Sequence, residues 1–358
     1  MAFNFWQSHP LGSKKDKVTW GMVGNSHDAS MACFIGDKPV WACMAKDFDV
    51  AKMKDSHPDF HWTMIQVALQ SYGQPDKIVW YENPFLKTTR QWWAGQGWLA
   101  KENNIRDYLS QWDITAPIEY AWHHHAHASY GYYTSGFKDA TILCMDSIGE
   151  WESLTIWSGK GDKLKKVYSQ KYPHSVGLFY SAMTQRCGLE PNKEEYAVAN
   201  LGKGAKGVYV RALEKTLINE ELDGSMPGVH FNVNLHRGGK HILPELDDNI
   251  EMAFATQAVY EKILKSNSDW CKKKLPSKNL IITGGCALNQ KANKVIEKDW
   301  KKMYVPKNPG DPGSCIGAVA SKIKKQLDYN EKIWYNSCLL YTSDAADDMQ
   351  CVDLGGRR

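Results

Sequence analysis

The chain repeats one order of short strands and polar turns, and this repetition constrains its fold more than any other feature. From Val18 an apolar strand runs into the polar turn GNSHDAS, a second strand, a Gly-Asp-Lys turn at residues 36–38 and a third strand. Later the same order recurs, with the polar turn SIGEWES and a Gly-Asp-Lys turn at residues 161–163. Apolar runs joined by such glycine turns predict β-meanders. Because helical patterns follow each meander, we expect an internal duplication in which Asp28 and Asp146 occupy corresponding turns.

Two duplicated α/β halves around a nucleotide cleft are typical of the superfold shared by actin, sugar kinases and heat-shock ATPases. The sequence therefore predicts an α/β protein with this duplicated actin-like ATPase (ASKHA) fold, in two βββαβα-type halves at about residues 18–138 and 139–337. We interpret residues 1–17 as an N-terminal extension. Residues 338–358 lose helical periodicity and resemble translated vector sequence, so we exclude them from the fold.

Composition narrows the class of protein. A hydrophobic content of 43% can fill a sizeable core, and a formal charge of +4 is small for 358 residues, which disfavours a nucleic-acid surface. The nine cysteines form no CxxC pair, so neither a disulfide framework nor a zinc module is indicated. No apolar run reaches the length of a membrane span, and the N-terminus lacks a signal-peptide pattern. We expect a cytoplasmic protein without a membrane partner, and the oligomeric state stays open, with a homodimer among the candidates.

The segment WHHHAHASYGYY contains four of the 12 histidines within five residues. If this segment is helical, His123 and His127 lie on one face and can share a cation. Asp311, in a glycine turn far along the chain, could complete a site of two histidines and one carboxylate, which suits Fe(II), with zinc or manganese as alternatives. A solvated histidine-rich helix start is the competing interpretation. His124 and His125 point elsewhere and are expected to be packed or exposed, with substrate contact as the alternative.

Three further residues are candidates for the reaction centre. His27 sits in the first polar turn, where phosphate or acyl-donor recognition competes with a plain strand connection. Lys52 could neutralise an anionic substrate, although an isolated lysine is usually solvated. Asp146 ends an apolar strand, a place where α/β proteins put working carboxylates.

A nucleotide site is indicated by two segments. The buried strand at residues 280–283 runs into GGCALN, and the backbone N–H groups of Gly284 and Gly285 could approach a phosphate, with Asn289 closing the motif. Glu195 could hold ribose hydroxyls or could begin a helix with a favourable charge.

The order of motifs resembles, from about Val18 to Ser321, the N-terminal half of the O-carbamoyltransferase family of the NodU/CmcH type. The motifs that carry the resemblance are HDAS, DFDVAK, WYENPFLK, HHHAHA, DSIGEW, YPHSVGLFYSAMT, EEY, GGCALN and GDPGSCIGA. One segment departs from the family pattern: EEYAVANLGKGA stands where the family has GEYKVMGLAPYG. The nucleotide-positioning role of that segment is therefore in question.

The resemblance implies an enzyme that accepts carbamoyl-adenylate, made from carbamoyl phosphate and ATP, and transfers the carbamoyl group to a hydroxyl of a small molecule. It also implies that iron is held by residues matching His123, His127 and Asp311. His27, Lys52 and Asp146 would line the reaction centre, with Asp146 or His27 as the base that takes the acceptor proton.

In the family a C-terminal YrdC-like domain makes carbamoyl-adenylate, and no such domain follows Ser337, so we expect the transferase half only. An ATP-dependent small-molecule kinase of the same fold is the first alternative, but it would have no use for the histidine pair. An inactive nucleotide-binding fragment is the second. The acceptor is not readable, although Trp92, Trp93 and Trp98 cluster in one segment, where packing under a loop or substrate stacking is expected.

Overall fold

The structure is a computed structural model that describes residues 16–24, 28–48, 62–96, 103–218 and 220–335. It contains two five-stranded mixed sheets. The first comprises β1 (Val18–Val23), β2 (Ser30–Ile35), β3 (Lys38–Met44), β4 (Lys77–Trp80) and β5 (Ile118–Tyr120). The second comprises β6 (Asp139–Met145), β7 (Glu152–Lys160), β8 (Lys163–Lys171), β9 (Asn279–Thr283) and β10 (Lys302–Tyr304).

The two sheets have the same topology. The first has the order β3-β2-β1-β4-β5 and the second the order β8-β7-β6-β9-β10. In each, three strands form an antiparallel meander, and the fourth strand pairs parallel with the first. Both Gly-Asp-Lys turns place their glycine in the left-handed region, with φ of 58° at Gly36 and 59° at Gly161. The predicted duplication and the actin-like ATPase fold are therefore confirmed.

Ten α-helices occur in the described residues. The first half contains α1 (Trp62–Tyr72), α2 (Pro84–Trp93), α3 (Ile105–Ser110) and α4 (His123–Thr134). The second half contains α5 (Val176–Arg186), α6 (Glu195–Leu201), α7 (Val210–Leu217), α8 (Asn249–Lys274), α9 (Gln290–Glu297) and α10 (Ser314–Ile323). Within the described residues, no helix has both the length and the apolarity to traverse a bilayer.

Each half contributes one helix that packs on the sheet of the other half. Helix α4 precedes the second sheet in the chain and packs on its strands β6, β7 and β9, whereas α10 packs back on β1, β2 and β4 of the first sheet. The two helices also pack against each other. Their contact is close because α10 carries Gly317, where a Cβ atom would lie 2.0 Å from the backbone oxygen of Ala126 on α4. The core of the first half and a smaller apolar cluster beneath the second sheet each take residues from both α4 and α10, so the two helices lie between these clusters.

Candidate metal centre

Helix α4 brings two of the predicted metal ligands together. His123 and His127 are one helical turn apart and at most 2% exposed, and their Nε2 atoms lie 3.0 Å from each other. Their buried position excludes the solvated helix start as an interpretation of this tract.

The N-terminus of α4 receives its cap from outside the helix. The N-cap residue Trp122 offers no side-chain hydrogen bond. Instead the carboxylate of Glu150 accepts the His123 backbone N–H, at 3.1 and 3.2 Å for its two oxygens, and also the Asn83 N–H at 2.8 Å. A carboxylate at a helix N-terminus satisfies a backbone donor and favours the helix dipole. Glu150 therefore fixes the turn that carries His123 and ties it to the start of α2.

Two carboxylates from other elements complete the cluster. Asp146 follows the last residue of β6, and Asp311 begins the short 3-10 helix Asp311–Gly313 that leads into α10. The His123 Nε2 atom lies 2.9 Å from Asp146 Oδ2 and 3.3 Å from Asp311 Oδ1. The corresponding distances from His127 Nε2 are 3.5 and 3.3 Å. One donor atom from each of the four residues lies within 4.8 Å of the others.

These distances fit a shared cation. Two ligand atoms that each lie about 2.1 Å from one ion, at angles of 90–110°, are about 3.0–3.4 Å apart. The five distances between the imidazole nitrogens and their partners, 2.9 to 3.5 Å, fall in or next to that range. Two imidazole nitrogens and two carboxylate oxygens form a donor set that suits Fe(II), Zn(II) or Mn(II).

The charges of the cluster members offset one another. Burial disfavours a charged imidazole, but Asp311 and Asp146 outweigh it and raise the pKa of His123 well above its ordinary value. Burial likewise opposes ionisation of Asp146, yet its hydrogen bonds to His123 and His127 hold the pKa of that carboxyl well below its usual range. A divalent cation would neutralise both carboxylates and leave the imidazoles neutral, as ligation requires.

Hydrogen bonds from neighbouring groups orient two of the four donors. The Ser314 hydroxyl pairs with His127 Nδ1 at 3.1 Å, which leaves Nε2 facing the cluster. The backbone N–H of Gly285 donates to Asp146 Oδ1 at 3.2 Å, so the other oxygen points at the histidines. The ring of Tyr81 lies 5.2 Å from that of His123.

The neighbouring histidines do not join the cluster. His124 is fully buried, and its Nδ1 lies 3.0 Å from the Thr155 hydroxyl; burial, followed by the charge of His123, lowers the pKa of His124 well below its ordinary value. His125 stacks on Trp157 at 5.2 Å between ring centroids, and burial lowers its pKa to about 4. The packed interpretation of these two residues fits the structure.

The other predicted site residues are placed as follows. His27 and Lys52 lie outside the described residues. Gly285 borders the cluster directly, because a Cβ on it would lie 2.9 Å from Asp146 Oδ1; Gly284, at φ 87°, packs on the Met145 backbone, where a Cβ would meet the oxygen at 2.1 Å. Asn289 caps α9 through the Ala292 N–H.

Glu195 takes part in local structure. It begins α6 and accepts hydrogen bonds from the Asn192 N–H at 2.6 Å and the Ser181 hydroxyl at 2.9 Å. The side chain therefore has a structural role, and nucleotide binding by Glu195, Gly284, Gly285 and Asn289 stays a prediction.

The three residues that directly follow the segment departing from the family pattern are anchored to α8. After α6 the chain turns, and the carboxylate of Glu251 on α8 accepts the consecutive backbone N–H groups of Lys206, Gly207 and Val208 at 2.7, 2.8 and 3.0 Å. Three adjacent N–H groups form an anion-binding concavity. Here the anion is a side chain of the protein itself.

Sequence reasoning missed two features of the centre. Glu150 was present only as part of the motif DSIGEW, and nothing in its spacing indicated that it caps α4 from another element. Asp146 was predicted as a catalytic residue, and the structure places one of its oxygens in the same cluster as the two histidines and Asp311. Its position at the end of an apolar strand was the available signal.

Comparison with known proteins agrees with the motif order. A family model described as "Carbamoyltransferase N-terminus" matches residues 81–320. An uncharacterized protein of Synechocystis sp. is 30% identical over 87% of this chain and 58% of its own length. Nodulation protein NolO of Bradyrhizobium diazoefficiens is 22% identical over 55% of this chain and 37% of its own length. The chain spans about half the length of the first curated relatives it matches, 58% and 51%.

Two solved structures are similar to this chain at low sequence identity. HypF of T. kodakarensis matches with a TM-score of 0.48 at 10% identity, over 91% of this chain and 49% of that chain. An activator of 2-hydroxyisocaproyl-CoA dehydratase from Clostridium difficile matches with a TM-score of 0.45 at 10% identity, over 86% of this chain and 95% of that chain. Because the family model spans most of the chain, the protein belongs to the carbamoyltransferase family, and residues 81–320 correspond to the N-terminal part of that family.

Proposed function

We propose that this chain binds a divalent metal ion, iron(II) by preference over zinc or manganese, through His123, His127, Asp146 and Asp311. We further propose that it transfers a carbamoyl group from carbamoyl-adenylate to a hydroxyl of a small molecule. The observation that carries the proposal is the convergence of donor atoms from two buried histidines and two largely covered aspartates within 4.8 Å in a chain of the carbamoyltransferase family. A kinase of this fold would rely on carboxylate-held magnesium and would not need two imidazole ligands.

In this reaction the acceptor oxygen forms a bond to the carbamoyl carbon. The bond between that carbon and the phosphate oxygen breaks, and AMP leaves with the electron pair. The hydroxyl proton passes to a base on the protein. When bound, the metal ion supplies a Lewis acid that polarises an oxygen of the carbamoyl donor.

The residues of the chain divide the remaining tasks. Asp146 has one oxygen held by the Gly285 N–H and the other directed at the histidines, so we assign it to the donor set and not to proton transfer. His27 is then the remaining candidate for the general base. Lys52 is proposed to offset the negative charge that develops on the leaving phosphate.

The first experiment measures metal content. The chain, purified without a histidine tag and reconstituted anaerobically with Fe(II), is expected to hold close to one ion. His123→Ala and Asp311→Ala should lose it, whereas His125→Ala, on the same helix but outside the cluster, should keep it. Well-folded protein that takes up no metal would contradict the proposed centre.

A second experiment measures turnover. Carbamoyl-adenylate is supplied directly, and AMP release and carbamoylation of added alcohols are followed in the wild type and in His123→Ala. We expect transfer only in metal-loaded protein. Metal binding without any transfer would favour the inactive nucleotide-binding fragment.

A further inference from the structure

Tyr130 spans the turn that carries Asp311. This tyrosine lies three residues after His127 on α4, so its side chain leaves nearly the same face of the helix, and it is fully buried. Its hydroxyl donates a hydrogen bond to the backbone oxygen of Lys307. Its ring lies against Gly313, where a Cβ atom would be 2.2 Å from Tyr130 Cε1. One side chain of the histidine helix therefore contacts the main chain both before and after Asp311.

Two further hydrogen bonds hold the same turn. The backbone oxygen of Pro309 accepts from the Gly284 N–H at 2.8 Å, and that of Pro312 accepts from the buried Ser30 hydroxyl at 2.8 Å. Gly284 belongs to the second half and Ser30 to β2 of the first half. Of these three contacts, the one made by Tyr130 comes from the helix that carries both imidazole ligands, so it relates the turn directly to that helix.

The Tyr130 hydroxyl ends a chain of hydrogen bonds. Trp334 Nε1 donates to the Tyr329 hydroxyl at 3.1 Å, and the hydroxyl oxygens of Tyr329 and Tyr130 lie 3.1 Å apart. An indole N–H can only donate and a carbonyl oxygen can only accept. Because the Tyr130 proton goes to Lys307, Tyr329 donates to Tyr130, and every bond points from Trp334 towards the turn. We name Trp334, Tyr329 and Tyr130 the hydrogen-bond chain.

The far end of the hydrogen-bond chain is anchored on the first sheet. Trp334 is 3% exposed, and its backbone forms a parallel bridge with Ala42 on β3. The Tyr335 N–H donates to the Ala42 oxygen at 2.7 Å. Aligned hydrogen bonds polarise and strengthen one another, so the loss of one link weakens those that remain.

We propose that the hydrogen-bond chain positions Asp311 as a metal ligand, with Tyr130 as the positioning residue. Asp311 Oδ1 lies 3.3 Å from Nε2 of both His123 and His127. Metal–ligand distances tolerate deviations of only about 0.2 Å, so a turn that is free to shift would hold the ion less tightly. This inference rests on the proposed function, because Asp311 needs positioning only if the centre binds a metal.

Core packing is the alternative interpretation of these residues, since Tyr130 and Trp334 also belong to the apolar core of the first half. It predicts a loss of stability without a specific loss of metal affinity. Tyr132 is the matched control, because it is a fully buried tyrosine of the same helix. Its hydroxyl contacts the backbone oxygens of Gly161 at 2.7 Å and Lys138 at 3.2 Å, at the turns that flank strands of the second sheet.

The test compares Tyr130→Phe, Tyr329→Phe and Tyr132→Phe in the full chain, because each change removes a hydroxyl and keeps the ring. Competition with a chelator measures the affinity for Fe(II), and the visible absorption of bound Co(II) reports the ligand geometry. Hydrogen exchange of the metal-free protein measures the protection of residues 307–313.

Tyr130→Phe should weaken Fe(II) binding about tenfold, change the Co(II) spectrum and accelerate exchange at residues 307–313. Tyr329→Phe should have smaller effects of the same kind, and it supplies the test if Tyr130→Phe does not fold. The double variant should match Tyr130→Phe alone, because Tyr329 acts through the Tyr130 hydroxyl. Tyr132→Phe should leave Fe(II) affinity, the Co(II) spectrum and exchange at residues 307–313 unchanged.

Three results would overturn the inference: equal metal affinities in Tyr130→Phe and Tyr132→Phe, unchanged exchange at residues 307–313 in Tyr130→Phe, or single effects that simply add in the double variant. Failure of the proposed function has a different signature, which is a wild-type protein that binds no Fe(II). Exchange in the metal-free protein does not depend on that result, so the two failures are told apart on the same samples.

Discussion

The contact between α4 and α10 yields the sharpest prediction, for Gly317→Ala. The added Cβ would lie 2.0 Å from the Ala126 backbone oxygen and 2.9 Å from the Tyr130 Cβ, and neither is the flexible end of a side chain. An ordinary carbon–oxygen contact is about 3.2 Å or more, so the helices must separate by roughly 1 Å. Overpacking of this kind costs about 1–3 kcal/mol of the free energy of unfolding.

The same separation acts on the metal centre. His123 and His127 move with α4, whereas Asp311 immediately precedes α10 and lies 3.3 Å from both imidazole nitrogens. Metal–ligand distances tolerate deviations of only about 0.2 Å, so a shift of roughly 1 Å should remove Asp311 from the donor set. We expect metal affinity to fall at least about tenfold, as it does when supporting contacts of a metal site are lost.

Gly239→Ala is the control. Its Cβ would also lie 2.0 Å from a backbone oxygen, that of Ala182 on α5, but on a part of the second half that carries no member of the metal cluster. Urea unfolding measures the stability of both variants, and competition with a metallochromic chelator measures their affinity for iron. If both variants are destabilised and both keep wild-type metal affinity, the spacing of α4 and α10 does not set the geometry of the centre, and the reasoning is refuted.

Three further predictions follow from the hydrogen bonds and the donor set. Glu150→Ala leaves the His123 and Asn83 N–H groups without their acceptor and should lower the free energy of unfolding by about 1–2 kcal/mol, as measured by thermal unfolding. Glu150→Gln keeps an acceptor oxygen and should recover part of this loss. Equal losses in both variants would contradict the capping role. Glu251→Ala should lower the free energy of unfolding, measured in urea, by about 2–4 kcal/mol and should accelerate amide hydrogen exchange at residues 206–208. Unchanged exchange there would argue against the anchor. Removing the metal should lower the unfolding free energy by about 2.7 kcal/mol at a free metal concentration 100 times the Kd, and a melting midpoint unaffected by chelator would oppose a bound ion in the folded state.

Local patterns determined much of the fold in advance. The paired Gly-Asp-Lys turns predicted both meanders, because a glycine at positive φ joins short apolar strands whatever surrounds them. The spacing of His123 and His127 placed both rings on one helical face, because the period of a helix is a property of the backbone. The glycine turn suggested Asp311 as a third ligand, the resemblance implied the same residue, and the structure brings all three together.

The residues predicted to bind a nucleotide could be placed only in part from the sequence. The glycine turn after β9 was predicted, and Gly285 in that turn does border the metal cluster. Glu195, by contrast, was predicted from its place near a helix start, and that place serves equally well for the local hydrogen bonds it makes. A single carboxylate at a helix N-terminus gives no signal that separates the two roles.

The sequence by itself determined two halves of one topology, a helix with two imidazoles on one face, and a carboxylate at the end of a strand. Only the tertiary structure decided that α4 and α10 cross to the opposite sheets, which brings Asp146 and Asp311 to the histidines and Glu150 to the start of α4. The physical reason is that α4 is buried on nearly all sides, from His123 to Tyr133. A helix without a solvent-exposed face carries no periodic signal of which sheet it will contact, and long-range packing alone makes that choice.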